Sequence, residues 1–385
     1  MNKVNVRFRK VLLSSGEFTP EVVMESENIS VHESSPEGLT VGLKEQSRGF
    51  GKLPDDFHFD FNDQLSQSVF DTEIAEKYDS EISTALSLAF LRYSAAVSKD
   101  ADLSTYMSEK FGLRKKFPRL IFNILNGGKH AGNGLSFCEF MIIPIDMDPV
   151  RSIEIASEVY QDLRKIILER YSEKDILVGR EGGFAPHTNS IDVALNLIVD
   201  AINIRHRGQV DIAIDVAANH FTLKDEGGFI YKVNNGELTT QELFSYYKEL
   251  VLKHPEIKYI EDCFHENDLE GWTLMMKEFG ENIDVVADDL IVTKLEYARN
   301  HLGLYNSCIL KVNQVGTISG LIDTLRFCNQ NNIKTIVSQR SGETDSNILP
   351  HLSVGLGADF MKAGAPARER IVKYNELLRI EDNLK

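Results

Sequence analysis

The chain contains 385 residues with a mass of 43.4 kDa, a length that corresponds to about two or three domains of ~150 residues. Hydrophobic residues make up 42% of it, an apolar content that a mainly disordered chain would lack. Lysine and arginine number 42 against 58 acidic residues, and the resulting net charge of −16 argues against a general binder of nucleic acid or anionic membranes, since both require a basic face.

The first residues and the cysteines indicate the compartment. The opening segment MNKVNVRFRKVLLSSG lacks the apolar core of a signal peptide, and no run approaches the ~20 apolar residues of a membrane span. Four cysteines are scattered without a CxxC spacing, at Cys138, Cys263, Cys308 and Cys328. This usage fits a reducing environment, so we expect a cytoplasmic protein with no membrane and no nucleic-acid partner.

The N-terminal part of the chain has the composition of short strands and polar turns. VNVRFRKVLL and FTPEVVMES lie on either side of Ser14-Ser15-Gly16 and are predicted to pair as a hairpin. Residues 32–64 are rich in glycine and proline and give no confident element. Residues 81–97 carry apolar side chains at helical spacing and predict an amphipathic helix, after which Pro118 interrupts the chain.

From about residue 120, short apolar runs alternate with segments of helical period. The runs are EFMIIPI, VDIAIDV, IKYIED, VVADD, CILKVN, KTIVSQ and DFMKAG, and a predicted hairpin of FTL and FIYKV follows the second. Apolar strands that alternate with helices are typical of parallel α/β proteins. At least six regularly spaced strands favour a barrel over an open doubly wound sheet.

Charged residues stand at or near the C-terminal ends of five predicted strands: Asp215, Glu261, Asp288, Lys311 and Lys362. In a (β/α) barrel these strand ends converge on one mouth, where catalytic groups are found. A single polar residue at a strand end is usually a turn residue or a helix cap. Five in register, three acidic and two basic, indicate a functional site.

These residue types suit metal-assisted chemistry on a small anion. Three carboxylates without histidine or cysteine ligands favour a hard cation such as Mg²⁺. Two lysines beside that cation would be unfavourable unless an anionic substrate lies between them. A lysine near a metal and a second cation has a lowered pKa and can act as a general base at neutral pH. The set therefore predicts removal of a proton next to a carboxylate, with the metal stabilising the enolate.

The same strand ends carry motifs that resemble those of the enolase family. From about residue 118 to the C-terminus the following segments occur in the family's order: FNILNGGKHAGN, CEFMIIP, GREGGFAPH, IAIDVAA, YIEDCF, VADDLIVT, LKVNQVGTISG, QRSGETDS and KAGAPARERIVKYNELLRIED. The resemblance implies an α/β fold, a modified (β/α)8 TIM-type barrel over residues 119–385 with an antiparallel second strand. A smaller, divergent N-terminal α+β domain over residues 1–118 would precede it.

The resemblance also implies an activity and its metal. It implies a Mg²⁺-dependent lyase that dehydrates 2-phosphoglycerate, a small anionic phosphorylated substrate, to phosphoenolpyruvate, as a homodimer or higher homo-oligomer. Asp215, Glu261 and Asp288 resemble the ligands of the tighter Mg²⁺. Lys311 resembles the general base that removes the C2 proton.

Further roles come from the same resemblance. Glu181 resembles the acid that assists departure of the C3 hydroxide, with Glu139 beside it. His130 resembles a loop histidine that closes over the substrate.

The substrate-binding side resembles the family with one departure. Lys362 resembles the lysine that pairs with the substrate carboxylate, and Arg340 and Ser341 resemble a phosphate clamp. The family has histidine before this Arg-Ser pair, whereas this chain has Gln339, which can form hydrogen bonds but cannot carry a proton at pH 7.

Two more departures lie on the leaving-group side. Arg180 stands where the family has aspartate, and a cation one residue from Glu181 is expected to hold that carboxyl ionised. The family's Ser-Gly-Ala-Ser-Thr-Gly loop, which supplies a ligand to a second Mg²⁺, is missing. Ser34, Ser35 and Thr40 lie in the corresponding region and are left unassigned.

Three functions remain open at this point. The first is an enolase that acts on 2-phosphoglycerate. The second is an enolase paralogue for another phosphorylated or phosphonylated hydroxy acid, favoured by Gln339, Arg180 and the altered loop. The third is a non-catalytic enolase-like binding protein, against which the intact Lys311 and the three acids argue.

Overall fold

The computed structural model of the protein describes residues 2–38, 44–45, 51–62, 65–98, 102–225 and 228–384. Thr40 lies outside these ranges. The described part consists of an N-terminal antiparallel sheet with three helices, followed by a closed barrel of eight strands with helices around it. Among the described residues, no helix is both long and apolar enough to cross a membrane.

The N-terminal sheet has four strands: β1 (Asn2–Leu12), β2 (Phe18–Glu25), β3 (Ser30–Ser34) and β4 (Phe57–Phe61). They lie in the order β3-β2-β1-β4. The predicted first hairpin is confirmed, because β1 and β2 pair antiparallel with Leu12 opposite Phe18. Gly16 in the connecting turn has φ +87°, a backbone conformation that a residue without a Cβ adopts at little cost.

Three helices follow this sheet and connect it to the barrel. They are α1 (Gln67–Lys77), α2 (Ser80–Ser98) and α3 (Leu103–Phe111), of which α2 confirms the helix predicted over 81–97. The Phe70 and Phe90 rings stack with centroids 4.1 Å apart in the core of this region. Ser87 Oγ accepts the main-chain N–H of Ile318 at 2.9 Å, and this bond attaches α2 to a helix of the barrel.

The barrel confirms the α/β fold expected from the alternating pattern. Its strands are β5 (Arg119–Asn126), β6 (Glu139–Pro144), β7 (Val210–Asp215), β11 (Ile257–Glu261), β12 (Asp284–Ala287), β13 (Ser307–Leu310), β14 (Lys334–Ser338) and β15 (Phe360–Lys362). The second strand, β6, runs antiparallel to both of its neighbours, as expected, and the other neighbouring pairs are parallel. The first barrel strand begins at Arg119, while the domain boundary at residue 118 stays a prediction.

The remaining elements lie outside the barrel. The helices are α4 (Gly128–Ala131), α5 (Pro149–Arg170), α6 (Ile191–Arg205), α7 (Thr240–Lys253), α8 (Leu269–Phe279), α9 (Leu295–Asn300), α10 (Val312–Val315), α11 (Ile318–Gln330), α12 (Ile348–Gly355) and α13 (Ile371–Leu384). The predicted second hairpin is confirmed as β8 (Thr222–Asp225) and β9 (Gly228–Val233), which β10 (Gly236–Thr239) extends to three strands.

Apolar side chains fill the inside of the barrel. Every barrel strand contributes at least one residue to this cluster, which comprises Ile121, Met141, Ile143, Ala213, Tyr259, Val286, Ile309, Ile336 and Phe360. A larger apolar cluster lies between the strands and the helices, which explains why the strand sequences are apolar on both faces. Polar groups are therefore left to the two ends of the barrel, and the functional site lies at one of them.

Candidate active site

A polar cavity opens at the C-terminal ends of the parallel barrel strands. It is lined by ten of the predicted site residues: His130, Glu139, Glu181, Asp215, Asp288, Lys311, Gln339, Arg340, Ser341 and Lys362. The eleventh, Glu261, is fully buried and contacts Lys362. The structure thus brings all the predicted site residues together.

Strand register explains the convergence. Asp215, Glu261 and Lys362 are the last residues of β7, β11 and β15, and Asp288 and Lys311 directly follow β12 and β13. In parallel strands these positions face the same end of the barrel.

Glu139 reaches the same mouth for a different reason. It is the first residue of β6, and this strand runs antiparallel to its neighbours, so that its beginning lies beside their ends. The register places Glu139 opposite Asp215. An antiparallel strand therefore adds a carboxylate that a strictly parallel barrel would have placed at the other end.

Lys362 lies at the centre of a carboxylate cluster. Its Nζ is 3.0 Å from Glu139 Oε2, 3.3 Å from Asp215 Oδ2 and 2.9 Å from Glu261 Oε2. Burial alone would lower the pKa of this lysine, but the three carboxylates outweigh burial and raise its pKa well above the ordinary value. Lys362 is therefore a permanent cation in this arrangement.

Lys311 forms an ion pair with Asp288, whose other oxygen accepts a hydrogen bond from Gln314 Nε2 at 3.3 Å. Burial has the largest single effect on the pKa of Lys311 and lowers it, but the nearby carboxylates, Asp288 first among them, together outweigh burial, and the pKa is raised overall. The lowered pKa expected for this lysine refers to a site with a bound metal ion and stays a prediction. Without the ion, a carboxylate in contact stabilises the ammonium form.

The three predicted metal ligands offer the type of donor atom that a divalent cation needs. Asp215, Glu261 and Asp288 lie at the ends of adjacent strands and offer only oxygen atoms, the donors that hard cations prefer. Asp215 Oδ1 is buried and accepts no hydrogen bond from any described residue. Burial together with Asp215 raises the pKa of Glu261 to about 7. The cationic side chains around the three carboxylates therefore do not balance the negative charge that the carboxylates carry when all of them are ionised.

Two further carboxylates, those of Asp262 and Asp289, line the same cavity. Together with Asp288 they offer oxygen atoms that all lie within 4.8 Å of one another, which is the spacing of a cation site. Among the described residues His130, Glu139 and Glu181 form another such group, whereas Asp215, Glu261 and Asp288 do not. Asp289 Oδ2 also accepts a hydrogen bond from Asn219 Nδ2 at 2.9 Å. The sequence analysis missed both residues, although the paired acids in YIEDCF and VADDLIVT could have indicated them.

Hydrogen bonds orient Glu181 on the opposite wall of the cavity. Its Oε2 accepts from Gln339 Nε2 at 2.9 Å and from Asn123 Nδ2 at 3.2 Å. The other end of the glutamine amide, Gln339 Oε1, accepts from Arg370 Nη1 at 2.7 Å. Asn123 and Arg370 were not predicted, although Arg370 lies within the motif ARERIVKYN.

Glu181 is ionised, as expected, but for a different reason. Its pKa is lowered to about 2, because His130, Arg370 and Lys362 outweigh the effect of burial. Burial lowers the pKa of His130 itself. The positive charges that stabilise the Glu181 carboxylate are therefore those of Arg370 and Lys362. Arg180 was predicted to hold Glu181 ionised, and this was wrong. Arg180 is exposed and is not among the groups with the largest effect on the pKa of Glu181.

The predicted phosphate clamp holds an internal anion. Arg340 is buried; its Nη2 lies 2.5 Å from Glu45 Oε1, and its Nη1 donates to Asn313 Oδ1 at 2.9 Å. Gln314 Nε2 donates to Glu45 Oε2 at 3.1 Å. Ser341 lines the cavity beside the arginine. Arg340 thus stands in a place where an anionic group is bound by several donors.

Comparison with known proteins places these features in a family. The family model described as "Enolase, C-terminal TIM barrel domain" matches residues 114–385. The enolase of Methanocaldococcus jannaschii is 41% identical over 305 residues, which are 78% of this chain and 70% of that protein. The enolase of Pyrococcus furiosus is 37% identical over 84% of this chain and 75% of its own length. Enolase B of Dictyostelium discoideum is 34% identical over 100% of this chain and 95% of its own length.

Proposed function

Because the chain belongs to the enolase family of hydro-lyases, we propose that it dehydrates 2-phosphoglycerate to phosphoenolpyruvate. One observation carries the proposal: Lys311 and Lys362 share a cavity with the carboxylates of three adjacent strands. Two cations and an acidic cluster together suit a small substrate that is itself anionic.

The proposed reaction begins at C2 of the substrate. The C2–H bond breaks, the proton passes to Lys311 Nζ, and the electron pair forms the C2=C3 double bond. The bond between C3 and the hydroxyl oxygen of the substrate breaks, and the hydroxyl leaves as water after taking up one proton. Lys311 must be neutral to accept the first proton, so Asp288 has to exchange its contact with the lysine for another partner.

We propose Mg²⁺ as the cation held by Asp215, Glu261 and Asp288. The all-oxygen donor set and the unpaired Asp215 Oδ1 support this assignment. When bound, the ion would supply positive charge to the substrate carboxylate. Lys362 would then pair with the same carboxylate.

The remaining residues are proposed to bind the two other substrate groups. Arg340 and Ser341 would hold the phosphate, since both line the cavity and the arginine already pairs with an anionic group, the carboxylate of Glu45. Glu181, Glu139 and His130 would face the leaving hydroxyl. The His130 Nδ1 and Glu139 Oε1 atoms are 3.5 Å apart, which supports a shared role for these two.

The test of this proposal is ultraviolet absorbance of an enolpyruvate product. The protein should convert 2-phosphoglycerate with Mg²⁺ and lose that activity when the ion is chelated. The same assay over a panel of phosphorylated and phosphonylated hydroxy acids identifies the preferred substrate. No product from 2-phosphoglycerate, with product from another member of the panel, would replace the proposed substrate.

A second candidate function is supported by a specific observation. The amide of Gln339 is bound at both ends, by Arg370 and by Glu181, so the leaving-group wall differs from that implied by the family resemblance. We therefore keep as the alternative an enolase paralogue that acts on another phosphorylated or phosphonylated hydroxy acid. The third alternative, a non-catalytic enolase-like binding protein, has no such support, because the proposed base Lys311 and the three acids lie together in one site.

We also propose that the protein works in the cytoplasm as a homodimer or higher homo-oligomer. The family resemblance supports the assembly, and the four cysteines, which are free and buried, support a reducing compartment. Light scattering of the purified protein measures the oligomeric state directly, and a monomer at micromolar concentration would contradict the assembly.

A further inference from the structure

The turn between β12 and α9 contains two β-branched residues in a backbone conformation that such residues rarely adopt. Val292 has φ +42° and Thr293 has φ +56°, both in the left-handed region. A β-branched residue in this conformation is unfavourable and persists only where the surrounding contacts hold it. Thr293 is fully buried, and its main-chain oxygen accepts a hydrogen bond from Thr324 Oγ1 at 2.7 Å. The conformation places the Thr293 hydroxyl beside the segment that contains Lys311.

The Thr293 hydroxyl contacts the segment of the proposed base at two points. Its Oγ1 atom accepts the main-chain N–H of Lys311 at 2.9 Å. The same hydroxyl donates to Gln314 Oε1 at 2.5 Å, which is much closer than the other acceptor in reach, the main-chain oxygen of Ile309 at 3.5 Å. A hydroxyl has one proton to donate and can accept as well, so both of its roles are used. One side chain thus holds both ends of the turn from Lys311 to Gln314.

The Gln314 amide connects this hydroxyl to two carboxylates. Its Nε2 donates to Asp288 Oδ1 at 3.3 Å and to Glu45 Oε2 at 3.1 Å. An amide NH₂ group only donates, and an exchange of the amide oxygen and nitrogen would place an acceptor against both carboxylates. The buried amide therefore has one orientation that satisfies all three partners. One of these partners, Asp288, also forms the ion pair with Lys311.

We propose that Thr293 and Gln314 are positioning residues for the proposed reaction. Thr293 holds the backbone of Lys311 and the amide of Gln314. That amide in turn holds the Asp288 carboxylate in the direction in which it binds a divalent cation. This inference rests on the proposed function. Neither Thr293 nor Gln314 lines the cavity, so both act through Lys311 and Asp288.

The first experiment compares two variants of Thr293. Thr293→Ser keeps the hydroxyl and loses a buried methyl group, whereas Thr293→Val keeps the volume and loses the hydroxyl. Exchange of the C2 proton of 2-phosphoglycerate is followed by NMR in deuterated buffer with Mg²⁺. Exchange should slow ~10²-fold in Thr293→Val, the effect of a small misplacement of a reacting group, and Thr293→Ser should retain most of the native rate.

A role in packing alone would give a different order, because the serine variant is the one that loses apolar contacts. Equal exchange rates in the two variants, or a slower rate in Thr293→Ser, would therefore overturn the inference. Thr273→Val makes the same change at an exposed position on α8 and should keep the native rate. Thermal unfolding with a chelator shows whether each variant is folded.

The second experiment changes the amide. Gln314→Met keeps the length of the side chain and removes both N–H donors. Isothermal calorimetry with Mg²⁺ should give an affinity that is 10–100-fold weaker, the usual effect of removing a group that orients a metal ligand. Gln330→Met, at an exposed position on α11, is the matched control. The native Mg²⁺ affinity in Gln314→Met would contradict the role of the amide.

Calorimetry without substrate also separates this inference from the proposed substrate. The Mg²⁺ affinity should be about tenfold weaker in Thr293→Val than in Thr293→Ser, since only the serine still holds the Gln314 amide. This order, in a protein that does not exchange the C2 proton of 2-phosphoglycerate, would reject the substrate and keep the positioning residues. Exchange at the native rate in both Thr293→Val and Gln314→Met would reject the positioning residues and keep the substrate.

Discussion

The Asp262 carboxylate binds the main-chain N–H of Asp288 at 3.0 Å with one oxygen, and the N–H of Asp289 at 3.0 Å with the other. Asp262 also has φ +44°, a left-handed conformation that few residues other than glycine, asparagine and aspartate adopt. The carboxylate thus holds the end of β12 in a fixed direction. The Asp288 side chain is aimed into the cavity by this contact and not by its own strand alone.

Asp262→Ala should weaken Mg²⁺ binding about 10–100-fold, the usual effect of removing a group that orients metal ligands. Asp262→Asn keeps one oxygen acceptor and tolerates the backbone conformation, so its loss should be smaller. Isothermal calorimetry measures both affinities. Asp323→Ala, at an exposed position on α11, is the control, and equal affinity in all four proteins would contradict the orienting role.

Asp288→Ala should abolish Mg²⁺ binding and with it the thermal stabilisation that the ion provides. A ligand that binds only the native state at 100 times its dissociation constant stabilises that state by ~2.7 kcal/mol. Thermal unfolding of the native protein and the variant, each with and without Mg²⁺, measures this difference. An unchanged affinity of the variant by calorimetry would remove Asp288 from the metal site.

Lys311→Met should stop exchange of the C2 proton while the fold and Mg²⁺ binding persist. A general base contributes ~10²–10⁴-fold, and exchange should slow by a factor in that range. Lys258→Met changes an exposed lysine on β11 and serves as the matched control. Exchange at the native rate in Lys311→Met would show that another group takes the proton.

Glu45→Ala should strengthen the binding of phosphorylated ligands. Glu45 competes for Arg340, and removing a hydrogen-bonded charged partner should improve affinity about tenfold, equivalent to ~1.4 kcal/mol. Calorimetry with a non-reactive phosphorylated hydroxy acid measures the change. Weaker binding in Glu45→Ala would instead indicate that the glutamate positions the arginine for the ligand.

The metal-free protein should lose stability as the pH rises from about 4.5 to about 7. Burial and Asp215 raise the pKa of Glu261 from 4.5 to about 7, so in this interval the native state holds a proton that the unfolded state has released. The free energy of unfolding therefore falls with rising pH. Urea denaturation with a chelator at pH 5 and pH 7 measures the slope. Glu261→Gln should show a smaller slope, and an identical one would contradict the assignment.

The sequence by itself determined the architecture and the composition of the site. The apolar runs from residue 139 onward became barrel strands because both of their faces are covered, by the interior cluster and by the helices. The polar residues that end those runs had to converge, since the C-terminal ends of parallel strands share one edge of the barrel. Asp215, Glu261 and Lys362 could therefore be placed together from spacing alone.

Only the tertiary structure decided which of these groups are partners and which protonation states follow. Gln339 and Glu181 are 158 positions apart, and their hydrogen bond depends on Arg370, which comes from a third part of the chain. Glu45 reaches Arg340 from the N-terminal part. The raised pKa of Lys311 in the metal-free site could not be predicted, because a pKa depends on contacts within a few ångströms and only the fold brings Asp288 that close.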